Sequence, residues 1–198
     1  MSSTRYTDLQ LDALRELANI GSGTAGTALS ALLGRPVDIS VPTAAALELA
    51  DAVDAAGAPE DLVWAVVVAV GGDLDAAALL IAPERDAASI CAVLGVEPDS
   101  EEARSALEEV GNILVASYVG ALGSMTGFVL DLHPPASARD MLGAVVATVI
   151  AARSDGRDVA IMLDSELRIE RDAIALSFML LPTPEGVAEL LRRIGLGD

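Results

Sequence analysis

Lysine does not occur in this sequence: all 12 basic residues are arginine, against 30 acids, for a formal net charge of -18. A surface that acidic repels phosphate backbones and anionic lipid, so neither nucleic acid nor membrane is an expected partner. Adaptation to salt, or simple solubility, would give the same composition. Cysteine occurs once, as Cys91 in the apolar stretch Ala88 to Leu94. One thiol makes no internal disulfide, and a reducing compartment is expected. Histidine also occurs once, as His133 beside two prolines, so the chain cannot assemble a Ser-His or Cys-His set, and His133 reads as a loop or strand-end residue. No cluster has zinc-ligand spacing, and no glycine-rich loop of Walker spacing precedes a helix, so no metal or nucleotide of its own is expected. No apolar run is long and uncharged enough to span a bilayer, and Met1 to Thr7 is polar. Neither signal peptide nor anchor is expected, and the expected location is cytoplasmic. Aromatic residues are only 3% of the chain although 53% is hydrophobic, so Ala, Val and Leu must build the core.

Asparagine occurs just twice, and both copies sit in matching sentences. Asp12-Ala13-Leu14-Arg15-Glu16-Leu17-Ala18-Asn19 and Ser105-Ala106-Leu107-Glu108-Glu109-Val110-Gly111-Asn112 each read D/S-x3-E-x2-N. Each is followed by Ile (Ile20, Ile113) and, 23 positions after its Asn, by proline (Pro42, Pro135). Every element of the second copy lies 93 positions after the first. Asn is a mediocre helix former, because its side chain competes for backbone hydrogen bonds. A chain that otherwise avoids Asn yet places one mid-helix in each half needs the amide there.

The helical period runs over 7–34. With Asp12 at zero and 100 degrees per residue, Leu14, Leu17, Ala18, Gly21, Ala25, Ala28 and Leu32 fall between roughly 140 and 240 degrees, the expected core stripe. Asp12, Glu16 and Asn19 lie near zero, on the opposite face. Gly34 is expected to stop the helix, Val37 to Val41 to be a strand and Pro42 to close it. Leu47 to Val53 is compatible with a strand. Leu62 to Val70 and Ala76 to Ala82 form a hairpin about Gly71-Gly72-Asp73, and a helix starts at Pro83 and stops at Gly95. In the second half Ser100-Glu101-Glu102 opens a helix whose buried stripe is Leu107, Val110, Leu114, Tyr118, Ala121 and Met125. Ser105, Glu109 and Asn112 form its outer row. Strands are expected at 128–132, 142–153, 158–166 and 171–181, and a last helix after Pro182 and Pro184. The unit predicted twice is helix, short strand, three strands, helix. That gives an α+β fold with a pseudo-twofold internal repeat, a mostly antiparallel sheet and two long motif-bearing helices packed on it. The two repeats, about 7–95 and 100–195, are expected to share one core in a single domain spanning 1–198, because each alone has few large side chains.

A carboxylate and an amide one turn apart supply no nucleophile. An amide can donate to and accept from one water and hold it in a line of attack. A carboxylate can fix a cationic group of a partner. Phosphoryl transfer needs positioning and electrostatics more than covalent help, so two inserted side chains can complete a partner that already carries the phosphoryl group and its magnesium. On the helical wheel the outer face continues through Gly23, Gly26, Thr27 and Ser30, and through Ala116, Val119, Gly120 and Gly123 in the second copy. Flanked by Ile20 or Ile113, these small residues are expected to form a shallow docking track.

The duplicated D/S-x3-E-x2-N-x22-P motif, with Glu16-Leu17-Ala18-Asn19-Ile20-Gly21-Ser22-Gly23 and Glu109-Val110-Gly111-Asn112-Ile113-Leu114, resembles the CheC branch of the CheC/CheX/FliY phosphatase family. The resemblance covers nearly the whole chain. It implies a phosphatase of the phosphorylated chemotaxis response regulator CheY, with Glu16, Asn19, Glu109 and Asn112 catalytic. Asp12 and Ser105 would hold the less critical leading, substrate-facing position, and Pro42 and Pro135 would be structural. It also implies that the regulator carries Mg2+ and that CheD is a possible further partner. A non-catalytic adaptor docking CheY or CheD, a flagellar-switch component, or a partner of another response regulator stays open. The end of the sequence at Asp198 favours a free-standing phosphatase as an expectation.

Overall fold

A computed structural model of the protein describes residues 8–151, 159–169 and 172–193. The element order is α1 (Asp8–Leu33), β1 (Val37–Glu48), α2 (Leu49–Ala56), β2 (Leu62–Gly72), β3 (Ala76–Pro83), α3 (Glu84–Leu94), α4 (Glu101–Thr126), β4 (Leu130–Leu132), β5 (Ala136–Met141), α5 (Leu142–Ala151), β6 (Val159–Ile169), β7 (Asp172–Pro182) and α6 (Pro184–Arg193). The repeated unit is therefore helix, strand, helix, hairpin, helix. The 93-residue displacement holds for the long helices (8 to 101) and for the helices that follow the first strands (49 to 142).

Two expected strands are helices. In α2, Leu49, Ala52, Val53 and Ala56 recur at i, i+3, i+4 and i+7, and in α5 Leu142, Val145, Val146 and Val149 repeat that spacing. Val145, Val146, Val149 and Ile150 suggested a strand, but the 3.6 period against the sheet overrides β-propensity. The other boundaries follow local chemistry. Ser100 caps α4 by accepting from the Ala103 N–H at 3.0 Å. Gly34, Gly95 and Gly127 follow α1, α3 and α4 with φ of 64°, 70° and 72°.

All seven strands join one antiparallel sheet in the order β1-β6-β7-β3-β2-β4, with β5 also on β2. The equivalent strands β3 and β7 pair at its centre. On either side the repeats exchange strands: β1 of the first pairs with β6 of the second, and β4 and β5 of the second pair with β2 of the first. Pro42 does not close a strand, as expected; β1 runs through it. The register slips there, between Ser40 and Thr43, on an edge strand, where a residue without an N–H is tolerated. Its counterpart Pro135 lies in the gap between β4 and β5. The two prolines thus mark the same break, a bulge in one repeat and a full interruption in the other.

Side chains alternate across the strands. Val66, Val68, Val70, Ala78, Leu80, Leu163 and Phe178 face α1, α3 and α4, while Val63, Ala65, Leu79, Ile81, Met162 and Met179 face α2 and α5. Covered on both faces, β3 is buried along nearly its whole length. The small side chains let α1 and α4 cross closely. A Cβ on Gly21 would lie 2.4 Å from the Tyr118 ring and 3.1 Å from its Cα. Tyr118 is itself fixed by a 2.7 Å hydrogen bond between its hydroxyl and Ser165 Oγ, and its ring lies 4.9 Å from that of Phe178. Leu17 shares a small apolar gap with Val119 and Leu122, so α1 and α4 run antiparallel. Leu32, expected in the stripe, is 45% exposed, and Leu29 is buried instead. The reason is that the last turns of α1 leave α4 and lie on β1, where a Cβ on Gly26 would lie 3.3 Å from the Val37 carbonyl.

Gly21→Ala must push Tyr118 or the α4 backbone, so it is expected to lower the unfolding free energy by about 1–3 kcal/mol. Gly23→Ala, which meets nothing within 4 Å, is expected to hold or gain up to about 1 kcal/mol. Urea titration of the two variants checks the contrast. Burial raises the pKa of the Cys91 thiol. Iodoacetamide at pH 8 should therefore leave it unmodified in the native protein and alkylate it after denaturation, as read by mass spectrometry.

Candidate active site

The outer faces of α1 and α4 carry the two Glu/Asn pairs because their inner faces are held. Under the first pair Leu17, Ala18 and Gly21 are buried; under the second, Val110, Gly111 and Leu114 are. Gly111 is required by contact: a Cβ there would lie 2.5 Å from Val66, so α4 rests directly on β2. Each helix is thereby fixed in rotation, and Glu and Asn three residues apart project on one side.

Glu16 and Asn19 are exposed, as are Asp12 and Gly23, and Ile20 is 41% exposed. Glu109 and Ser105 are exposed, Asn112 is half-buried, and Ile113 is half-buried against the core. No described residue hydrogen-bonds the side chains of Glu16, Asn19, Glu109 or Asn112. The neighbouring hydroxyls point elsewhere: Ser22 donates to the Asn19 carbonyl, Thr24 to Ile20, Thr27 to Gly23 and Ser117 to Ile113. The polar tips on these faces are therefore the acids and the amides. With Gly21 against Tyr118, Asn19 stands level with the Tyr118–Leu122 turn of α4. Asn112 lies about two turns away, roughly 10 Å along the axis. The two pairs therefore stand apart along the helices.

The expected docking track is shorter than the helical wheel predicts. Gly23, Thr27 and Gly120 are exposed, but Gly26 and Val119 are buried and Ser30 is half-buried. Gly26 and Val119 are equivalent positions, and the cause is shared. After each long helix the chain turns back, and the segment that follows covers that flank: Ser30 Oγ accepts from the Val37 N–H at 2.9 Å, and a Cβ on Gly123 would lie 3.2 Å from the Phe128 carbonyl. The Pro42 side chain lies outside the described residues. His133 is exposed between β4 and β5, its backbone N–H donating to the Ala69 carbonyl at 2.9 Å.

Charge distinguishes the two sites. At the first, Arg15 donates to the Asp12 carboxylate at 2.5 Å, both in open solvent. At the second, Arg104 binds Glu101 and also Glu108 at 2.8 Å, and Glu108 accepts from Ser137 Oγ at 2.6 Å. The Arg104 hydrogen bond, then its charge, holds the Glu101 carboxyl below its usual range. Two residues further along β5, Arg139 bridges Glu84 and Asp99. Trp64, Asp99, Ser100, Glu101, Arg104, Ser137, Ala138 and Arg139 line an open cavity of about 280 Å³, so members of this network form part of its wall. The repeat motif gave no sign of it, because it is built where the two repeats differ. Leu11, Arg15, Ala44 and Ala46 occupy the first-repeat positions of Arg104, Glu108, Ser137 and Arg139.

Among the described residues no group of three or more His, Cys, Asp or Glu could hold a metal ion, and no helix is long and apolar enough to cross a membrane.

The sequence matches the CheC-like family over residues 9–45 and 102–138, two windows 93 positions apart that each contain one Glu/Asn pair and its proline. It is 30% identical over 196 residues to the CheY-P phosphatase CheC of Bacillus subtilis, spanning 94% of each chain. It is also 30% identical over 135 residues to the flagellar motor switch phosphatase FliY of the same organism, covering 65% of this chain and 35% of that protein. Among solved structures, Thermotoga maritima FliY superposes with a TM-score of 0.75 at 20% identity, over 98% of this chain and all of that one. The FliM middle domain of Helicobacter pylori superposes with a TM-score of 0.70 at 13% identity, over 95% and 99%. These last two likenesses establish shared architecture. Near-complete coverage at 30% identity and the duplicated match establish descent: the chain belongs to the CheC-like family.

Proposed function

We propose that this protein is a phosphatase that hydrolyses the aspartyl phosphate of a CheY-type response regulator, using Glu16/Asn19 and Glu109/Asn112 as two independent inserted pairs. The observation that carries this reading is the pair of outward Glu/Asn rows on rotation-locked helices, none of whose four side chains is bonded by a described residue. Family membership and the activity named for the Bacillus subtilis CheC relative support it.

The regulator brings the phosphoryl group and is expected to carry the Mg2+ ion that neutralises it. The Asn side chain enters beside the phosphorus, and its amide holds one water opposite the aspartyl oxygen. Water oxygen attacks phosphorus, the bond to the aspartyl oxygen breaks, and the carboxylate leaves with that electron pair. The water proton passes to the phosphate or to solvent. Glu, one turn earlier, holds a cationic side chain of the partner and so fixes the angle at which the amide enters. Asp12 and Ser105 lie one turn earlier again, at the edge of the contact. Ile20 gives the first contact an apolar flank, to which the half-buried Ile113 adds less at the second, and Gly23 lets the partner backbone approach α1.

Phosphate release from phosphorylated regulator with magnesium tests the assignment. Asn19→Ala and Asn112→Ala should each lower stimulated hydrolysis in part. The double variant should lose the stimulation entirely, a drop of roughly 100- to 1000-fold at each site's chemistry by analogy with removing one preorganised group. Binding of the regulator without any faster phosphate release by the wild type would favour the adaptor reading. Gly23→Phe adds a ring where a Cβ meets nothing within 4 Å. It should leave the thermal midpoint unchanged and weaken regulator binding at the first site; unaltered affinity, by isothermal titration in an Asn112→Ala background, would exclude Gly23 from the contact.

A further inference from the structure

We infer that the cavity between Trp64, Arg104 and Arg139 is an accessory docking pocket for an aromatic side chain of the phosphorylated regulator, and that only the second of the two sites has one. The inference rests on the function proposed above and adds to it a specificity-determining contact.

The pocket is continuous with the second site. Arg104 on α4 precedes Ser105, the first residue of the outer row, and its partner Glu108 precedes Glu109. The far wall is sheet. Trp64 of β2 pairs with Arg139 of β5, and Val66 with Ser137, so the indole and the second guanidinium stand side by side on the α4 face. Further along the same two strands Leu62 and Met141, also paired, are 50% and 47% exposed.

Its chemistry selects the occupant. Each guanidinium is already held by two carboxylates: Arg104 by Glu101 and Glu108, Arg139 by Glu84 and Asp99. An incoming anion would meet four acids around two arginines, so this is not a phosphate or carboxylate site. What remains for an occupant is the exposed part of the two guanidinium groups, whose side chains are 45% and 39% exposed, beside the half-buried Trp64. Planar cations held in this way stack on aromatic rings, and the ring gains from both neighbours. About 280 Å³ accommodates one such side chain with its backbone flank.

The first repeat lacks both arginines and the indole. Leu11, Ala44 and Ala46 stand at the positions of Arg104, Ser137 and Arg139, and the residue opposite Ala46 on β6, in the place of Trp64, is Ile161. The two sites should therefore differ in regulator affinity while sharing one chemistry.

Trp64 is the only tryptophan in the chain, so one fluorine label reports on the pocket. Protein labelled with 5-fluorotryptophan is titrated with a tryptophan-free, beryllofluoride-loaded, magnesium-bound CheY-type regulator and followed by fluorine NMR. The single line should shift at saturation, and should stay in place when Glu109→Arg blocks the second site. In parallel, Trp64→Leu in an Asn19→Ala background should raise KM for phosphorylated regulator about tenfold with kcat unchanged. The same change in an Asn112→Ala background should leave KM unaltered. A line that does not move while wild-type protein binds and hydrolyses, or an equal rise of KM in both backgrounds, overturns the pocket and leaves the phosphatase assignment standing. If the regulator neither binds nor is dephosphorylated, both fall together.

Discussion

Strand exchange between the repeats is the constraint on which everything else depends. β1 completes the sheet on β6, and β4 and β5 complete it on β2, so each half supplies the edge that the other lacks. The exchange brings the equivalent strands β3 and β7 together at the centre and sets the two long helices side by side across one face. It also explains how a chain with few aromatics is stable. Helices on both faces of one sheet bury alternating Val, Leu, Ile and Ala in two layers, which neither repeat could cover alone.

From that arrangement the site follows by subtraction. The inner faces of α1 and α4 are committed, at Gly21 against Tyr118 and at Gly111 against Val66, and neither helix can roll. The outer faces are left to present an acid and an amide at fixed spacing. Positioning of that kind lowers a barrier by removing the search for geometry, without a nucleophile of its own. The symmetry is imperfect where it touches the partner. Asn19 is open and Asn112 half-buried, Ile20 protrudes and Ile113 packs inward, and one site alone is bordered by paired arginines.

Much of this was legible in the residues. The repeat, both long helices, the first hairpin, the glycine stops and the outward rows could be read because periodicity over 26 residues averages out local ambiguity. The short helices α2 and α5 could not. Eight to ten residues rich in Ala and Val satisfy a strand and a helix almost equally, and contact with the sheet decides. Pro42 suggested an end where the structure has a bulge, since sequence does not reveal whether a strand is at an edge. Gly26 and Val119 looked outward on a wheel that ignores the strand folding back over them. The arginine-lined cavity lay in the differences between the repeats, at Arg104, Ser137 and Arg139, whereas the motif is defined by their agreement.

The central claim is that each Glu/Asn pair enters a partner and aims water at its phosphoryl group. A crystal structure of this protein with a beryllofluoride-loaded response regulator tests it most directly. The account predicts Asn19 or Asn112 within hydrogen-bonding distance of a water in line with the bond to be broken, and the Glu one turn earlier against a basic side chain of the regulator. A complex in which the regulator docks elsewhere, with both amides still facing solvent, would contradict it.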